Sequence, residues 1–433
     1  MNAFAASEQG ALISRYDDIW LVDGARTPFA DFSGVLRDVS PTDLGIYAAR
    51  ALLEKVGEKS GIQATDIDFI VAGNVAQASY DAFFMPRHVG LYAGVPQSAP
   101  SVLVHRLCGT GFEAILTAAD QITLGKAKVA LVVGTESMSR NPIAAYTHRA
   151  GFRMGQVEFK DFLWEATIDT APNIGMGHTA ENLAVRYGIS REDVDAYAAR
   201  SFANAIAARD AGYFDDEVVA VHNSEWTLDG YQPRKLKLAD RATSLEHDNH
   251  VRPTSLETLA KLRPAFRPSQ YTDAYETGVQ TGGNSSAIVD GAAAVLVVSG
   301  DYMRAHGLKP LARIAGGSVV GVPPEIMGIG PAPAIRSLLN DRGMNVNDVC
   351  RYEINEAFGA QVMACERELG LDRERLNIHG GAIAMGHPLG VTGVRLTHTV
   401  ARQLNQTDGQ FAISSACAGG GQGIAVLLEK FTG

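Results

Sequence analysis

Cys108 stands in Arg106-Leu107-Cys108-Gly109-Thr110-Gly111, where a turn gives way to an apolar helical stretch. A thiol at the start of a helix meets free backbone N–H groups and the positive end of the helix dipole. Both favour the thiolate, which is the reactive form of cysteine, so an ionised sulfur is the expectation. A lone cysteine reads more simply as a small buried apolar residue. The flanking glycines change that balance, because they let a carbonyl compound come close to the backbone. Three further glycine-bounded or polar clusters follow: Asn355-Glu356-Ala357-Phe358, the run from Gly380 to Gly390 that contains Gly386-His387-Pro388, and Cys417-Ala418-Gly419-Gly420-Gly421. Together they supply a nucleophile, a base, a second acid–base thiol and an amide, which is what acyl transfer through a thioester needs. Plainer readings stand beside these: His387 as a helix cap, Cys417 as core packing and Asn355 as a turn residue.

These residues must be held by a large core. The chain has 433 residues, 46% hydrophobic and 20% charged, which suits two or three globular domains. Glycine, at 45 residues, exceeds the typical ~7%, and much of the excess lies in the clusters above. A net charge of −10 argues against a nucleic-acid partner. The four cysteines, Cys108, Cys350, Cys365 and Cys417, form no CxxC pair, so neither a metal site nor a dithiol redox motif is expected, and free thiols fit a reducing interior. Residues 1–20 carry neither a signal nor a transit pattern, and no apolar run reaches the ~18 residues of a membrane span. A cytoplasmic protein is the expectation.

Short β-branched runs alternate with helical stretches, which predicts an α/β fold. Strands are expected at 19–22, 68–72, 129–133, 292–298, 349–353, 411–414 and 424–428, and helices at 41–56, 109–124, 190–211, 357–369 and 393–404. Ser190 and Asp193 nearly match a capping box. The stretch from about 137 to 267 is more polar and reads as an insertion that covers a core; its part 223–268 is loop-rich and basic in places (Arg234, Lys235, Lys237, Arg241). A weak internal symmetry appears: Cys108 opens a helix followed by a strand ending at Gly134, and Gly386 to Gly390 opens a helix followed by a strand ending at Cys417. Pseudo-twofold packing would bring the two helix starts together, with Cys108 and His387 in one pocket.

The four clusters closely resemble motifs of the thiolase family. The resemblance runs from about residue 22 to 428 and takes in Arg26-Thr27-Pro28-Phe29, Thr135-Glu136-Ser137-Met138-Ser139, Met176-Gly177-His178-Thr179-Ala180-Glu181-Asn182 and Thr281-Gly282-Gly283-Asn284-Ser285-Ser286. It implies a layered α/β/α/β/α fold of two pseudo-equivalent halves, residues 1–302 and 303–433, with a loop domain at about 137–267 inside the first. It also implies CoA-dependent cleavage of a 3-ketoacyl-CoA, as in fatty acid β-oxidation, or the reverse condensation to acetoacetyl-CoA. Coenzyme A is then a substrate and no tightly bound cofactor is needed.

The resemblance further implies roles. Cys108 would hold the acyl group, and His387 would deprotonate Cys108 and later the CoA thiol. Cys417 would protonate the leaving enolate. His387 and a water on Asn355 would hold one thioester oxygen, and the N–H groups of Cys108 and Gly419 the other. Ser286, Met176 and Phe358 would contact the CoA thioester. Cys350, Cys365, His178 and His379 are taken as structural. Departures from the family pattern are His379 for a usual Asn and Gly282 for a usual Ala. Gly175 stands where acetoacetyl-specific members carry a His, which implies a longer or broader acyl range. Relatives form dimers or dimers of dimers, and some join a β-oxidation partner subunit. A carrier-protein-dependent condensing enzyme and a non-catalytic acyl-CoA-binding protein are the alternatives; Cys417 in its glycine run argues against the first, and the presence of all four chemical residues against the second.

Overall fold

The computed structural model describes residues 10–146, 148–266 and 278–432. Residues 1–9 of the N-terminal reading, and positions 267 and 268 at the end of the covering stretch, lie outside the described residues.

The first half contributes β1 (Ile19–Arg26), β2 (Phe69–Gly73), β3 (Ser101–Val104), β4 (Val129–Ser137) and β5 (Val289–Ser299). They pair in the order β3-β2-β4-β5-β1, with β2 parallel to β3 and β4 and the other pairs antiparallel. The second half contributes β6 (Ala312–Gly321), β7 (Val349–Ile354), β8 (Phe411–Ala418) and β9 (Gln422–Lys430), in the order β7-β8-β9-β6. Here β7 is parallel to β8 and the rest are antiparallel, so the second set repeats the first. The counterpart of β3 is reduced to one parallel bridge, Tyr352 to Leu376. The two sets join through Ala312↔Leu21 and Arg313↔Trp20, and the short first-half strand Leu12–Arg15 also pairs antiparallel with β6.

The longer helices are α1 (Pro41–Ser60), α2 (Met85–Tyr92), α3 (Thr110–Thr123), α4 (Met176–Tyr187), α5 (Arg191–Asp210), α6 (Pro331–Asp341), α7 (Gly359–Leu369) and α8 (Thr392–Asn405). Local chemistry sets several ends. Ser40 accepts from Asp43 N and Pro41 opens α1, while Gly61 closes it at a φ of 72°. The expected capping box of Ser190 and Asp193 forms at the start of α5.

Strand periodicity sorts the side chains into three cores. In β4, Val129, Leu131 and Val133 face an outer layer with Leu44 and Leu52 of α1, whereas Ala130 and Val132 face α3 and α8. In β9, Ile424, Val426 and Leu428 face the same central helices, whereas Ala425 and Leu427 face Ile335 and Leu338 of α6 and Met363 of α7. The result is five layers, helix, sheet, helix, sheet, helix, as the resemblance implies. Each fully buried Val, Leu, Ile or Phe contributes roughly 1.5–3 kcal/mol, so strands buried on both faces fix α3 and α8 firmly. Helix α5, within the covering stretch, is itself part of a core, since Tyr197 and Phe202 are buried against the second half.

Candidate active site

Cys108 lies on a tight turn between β3 and α3. Leu107 adopts a φ of 45°, a left-handed conformation uncommon for leucine. The turn is closed by Gly109 N to Arg106 O (2.9 Å), Thr110 N to Leu107 O (2.9 Å) and Arg106 N to Thr110 Oγ1 (2.8 Å). Arg106 also holds Glu113 at 2.7 Å and reaches across to Gln422 Oε1 at 2.7 Å, tying the turn to the second half. The backbone N–H groups of Cys108 and Gly419 both reach the Cys108 sulfur. Those are the two donors expected for an oxyanion.

The expectation of a resting thiolate is corrected here. Burial, aided by the Glu136 carboxylate, pushes the Cys108 thiol up to about 11, against the lowering effect of its two N–H donors. Desolvation outweighs the helix start. The sulfur therefore rests as a thiol and needs a base.

The base is placed by the segment before α8. Gly386, at a φ of 105°, turns the chain, and His387 N donates to Ala287 O at 3.0 Å. The imidazole is 5% exposed. Its Nδ1 lies 2.6 Å from Thr392 Oγ1, and that hydroxyl gives its one proton to Pro388 O at 3.2 Å. Nδ1 is then the protonated nitrogen and Nε2 carries the lone pair, an acceptor. Nε2 faces Asn355 Nδ2 at 3.3 Å. Burial and the positive charge of Arg395 bring His387 down to about 3, so it is neutral at physiological pH.

Asn355 follows β7 directly, and its N donates to Ser415 O of β8 at 2.9 Å. Its buried Oδ1 has no partner among the described residues, an acceptor ready for a water or a substrate group. Cys417, one residue from the end of β8, is fully buried. It packs with Met327, Ala357, Met176 and Phe358; burial first, and then the charge of the nearby Cys108 sulfur, push its thiol well up. Gly419 to Gly421 then reverse the chain, with left-handed φ at Gly420 and Gly421. A Cβ on Gly419 would sit 2.8 Å from Leu107 Cδ1 and 3.6 Å from Met176 Sδ.

The structure therefore brings Cys108, Cys417, Gly419 and Met176 together, and His387 with Asn355. Phe358 joins the apolar patch beside Cys417, edge-on to Phe266 at 6.2 Å. Ser286 is half-buried and bonds through its N to Ala357 O at 3.0 Å. Of the basic loop residues, Arg234 is engaged by Asp43 and Asp81, and Lys235 by Glu225, while Lys237 and Arg241 are exposed. Cys350 and Cys365 sit as structural residues; Cys365 is buried beside Gly328 O. His178 and His379 are not satisfied as expected: His178 Nδ1 and His379 Nε2 have no partner among the described residues. Among those residues no group of three or more His, Cys, Asp or Glu could hold a metal ion.

Three positioning residues escape sequence reasoning. Thr392 fixes the tautomer of His387 from five residues away, a spacing with no periodic signature. Glu136 accepts from Val75 N, Ala76 N and Gly390 N, clipping the first half to the loop that carries His387. Glu356 binds Tyr197, Ser201, Asn377 and Ile383 N, and so shapes the 377–387 loop. Both glutamates stand inside motif clusters, yet nothing but the fold shows what they hold.

Comparison with known proteins agrees with this geometry. Residues 19–301 match the family described as Thiolase, N-terminal domain, and residues 308–430 match Thiolase, C-terminal domain. The chain is similar to human mitochondrial 3-ketoacyl-CoA thiolase, 41% identical over 95% of this chain and 98% of that one. It superposes on the crystal structure of that human enzyme in complex with CoA with a TM-score of 0.87, at 40% identity and covering 96% and 99% of the two chains. The crystal structure of Bacillus anthracis acetyl-CoA acetyltransferase gives a TM-score of 0.84 at 36% identity, covering 96% and 100%.

Proposed function

The chain belongs to the thiolase family, and from that premise we propose that it cleaves 3-ketoacyl-CoA with coenzyme A to acetyl-CoA and a shortened acyl-CoA through a Cys108 acyl-enzyme. His387 Nε2 takes the Cys108 proton, and the sulfur attacks the keto carbon. The N–H groups of Cys108 and Gly419 hold the oxygen that becomes negative; losing one such donor costs on the order of 3 kcal/mol of barrier. The bond between C2 and C3 breaks, and Cys417 protonates the leaving acetyl-CoA enolate, whose thioester oxygen is held at His387 and Asn355. The imidazolium proton returns to the Cys417 sulfur. His387 then deprotonates the incoming CoA thiol, which takes the acyl group, and Cys108 regains its proton. Every step runs backwards for condensation.

The observation that carries this reading is the His387 arrangement: a buried neutral imidazole with Nδ1–H fixed on Thr392 and Nε2 turned to Asn355. Such a ring is a general base and an oxyanion partner at once. Ser286, Met176 and Phe358 line the approach for the thioester arm. Gly175 leaves room where a larger residue would meet His178 Nδ1 at 3.1 Å, in keeping with longer acyl chains. A two-domain partition at 302/303 and a homodimer or dimer of dimers belong to the same proposal; β3 ends the sheet as a partly exposed edge able to pair with a second copy. So do a role in β-oxidation and a reducing compartment, the cytoplasm. The described residues include no helix long and apolar enough to cross a membrane. The test is loss of the 3-ketoacyl-CoA signal on adding CoA, with mass spectrometry of the acylated Cys108 peptide. No loss at any chain length overturns the reading.

A further inference from the structure

Helix α8 lies in the central layer, yet one face of it is polar. Thr392, Arg395, Thr399, Arg402 and Gln403 recur at helical spacing, and Thr392, Arg395, Thr399 and Gln403 are each 1% exposed or less. Four of the five reach a partner. Thr392 holds His387, Thr399 and Arg402 hold Glu217 at 2.9 and 3.2 Å, and Gln403 holds Glu353 at 2.8 Å. Arg395 differs. It pairs with Glu353 Oε2 at 3.6 Å, beyond hydrogen-bond length, and none of its nitrogens has a hydrogen-bond partner among the described residues.

A buried guanidinium that uses none of its N–H groups is costly, so its position calls for a reason. It lies one turn along α8 from Thr392. Glu353 lies two residues before Asn355, and alternation turns both side chains to the same side. The pair touching the imidazole and the charged pair behind it thus come from the same two elements, one step apart.

We propose that Arg395, balanced by Glu353, is a positioning residue that holds His387 as the neutral Nδ1–H imidazole, because its charge repels a second ring proton. This rests on His387 being the base. The other charged groups nearby are already engaged. Glu217 is paired with Arg26 at 2.7 Å and Arg402, Glu356 is held by Tyr197, Ser201 and Asn377, and His398 faces Asp23 at 3.4 Å. Tyr213, its hydroxyl on Thr399 O, and the thiols of Cys108 and Cys417 are uncharged at neutral pH. Burial is the larger cause that keeps the His387 ring neutral, and the Arg395 charge adds to it. Glu353 is itself raised to about 7 by burial, so the balance is partial.

The test follows the ring directly. Enzyme with 15N-labelled histidine is examined from pH 8 to pH 4, the His387 signals being assigned by their loss in His387→Asn. The wild-type ring should stay neutral throughout. In Arg395→Met it should begin to take a second proton within that range, with the acid limb of kcat/KM moving up to match, and Arg395→Lys should restore neutrality. A ring neutral throughout in Arg395→Met, or Arg395→Lys behaving like Arg395→Met, overturns the inference. If Arg395→Met does not fold, Glu353→Gln decides: leaving the cation unbalanced, it must keep the ring neutral to pH 4, and any gain of a proton overturns the inference. If His387→Asn turns over substrate like wild type, the function proposed above fails, while the ring titration still judges this one.

Discussion

Gly111 and Gly393 meet backbone to backbone where α3 crosses α8. A Cβ on Gly393 would lie 2.1 Å from Phe112 N, and one on Gly111 2.6 Å from Val394 N. Neither obstacle is the end of a flexible side chain, so no side-chain rotation makes room. This contact sets how near the two helix starts can come, and with them the segments bearing Cys108 and His387.

Gly393→Ala should therefore separate the helix starts. Either the protein loses several kcal/mol of stability, as overpacked cores do, or it folds with activity cut by about 100-fold through misplacement. Thermal unfolding and steady-state kinetics check this, and wild-type behaviour in both contradicts it.

Cys108 and Cys417 should separate cleanly in mutation. Cys108→Ala should lower kcat by at least about three orders of magnitude and show no acyl adduct. Cys417→Ala should still acquire an acyl group on Cys108 from acyl-CoA, yet fail to exchange the α-protons of acetyl-CoA. Solvent-deuterium exchange followed by mass spectrometry reads the second step. Full exchange in Cys417→Ala removes that thiol from the mechanism and favours a condensing enzyme of related fold.

Thr392→Val keeps the shape but leaves His387 Nδ1–H without an acceptor. An unsatisfied buried donor costs about 1–3 kcal/mol, so kcat/KM should fall between about 5- and 150-fold. Thr392→Ser should recover most of it. Equal kinetics in the Val and Ser variants would show that the hydroxyl is idle.

Acid stability carries a sign that follows from His387. The ring sits at about 3 when folded and about 6.5 when unfolded. Between those values the unfolded chain binds a proton the folded chain does not. Stability contributed by this group is present above pH 6.5 and is lost as pH falls, at about 1.4 kcal/mol per unit. His387→Asn should thus show a shallower fall of Tm from pH 6.5 to 4.5. A steeper or identical slope would contradict the burial of a neutral ring.

Much of this was legible from residue types. The β-branched runs marked the strands, although β5 and β9 extend beyond the expected 292–298 and 424–428, because polar residues and glycines (Asp290, Gly291 and Ser299 in β5; Gln422, Gly423, Glu429 and Lys430 in β9) continue the ladder without apolar character. The repeat of helix and strand around Cys108 and His387 was visible as well, and the paired sheets repeat it. The protonation of Cys108 was not, since desolvation depends on what the fold packs around a sulfur and not on its neighbours in sequence. Thr392, Glu136 and Arg395 were hidden for a related reason: each acts across elements, through a partner that only the packed structure supplies.

The two sheets touch through two residue pairs between β1 and β6 and through the short strand Leu12–Arg15 laid on β6, while the central helices interlock and Glu136 and Arg106 bridge the halves. A chain severed in the connection between 300 and 311 would thus yield two fragments, one owning the sulfur that carries cargo and the other owning the ring and thiol that shuttle hydrogen. Turnover by such a mixture would report on reassembly itself, making this catalyst a natural candidate for fragment complementation.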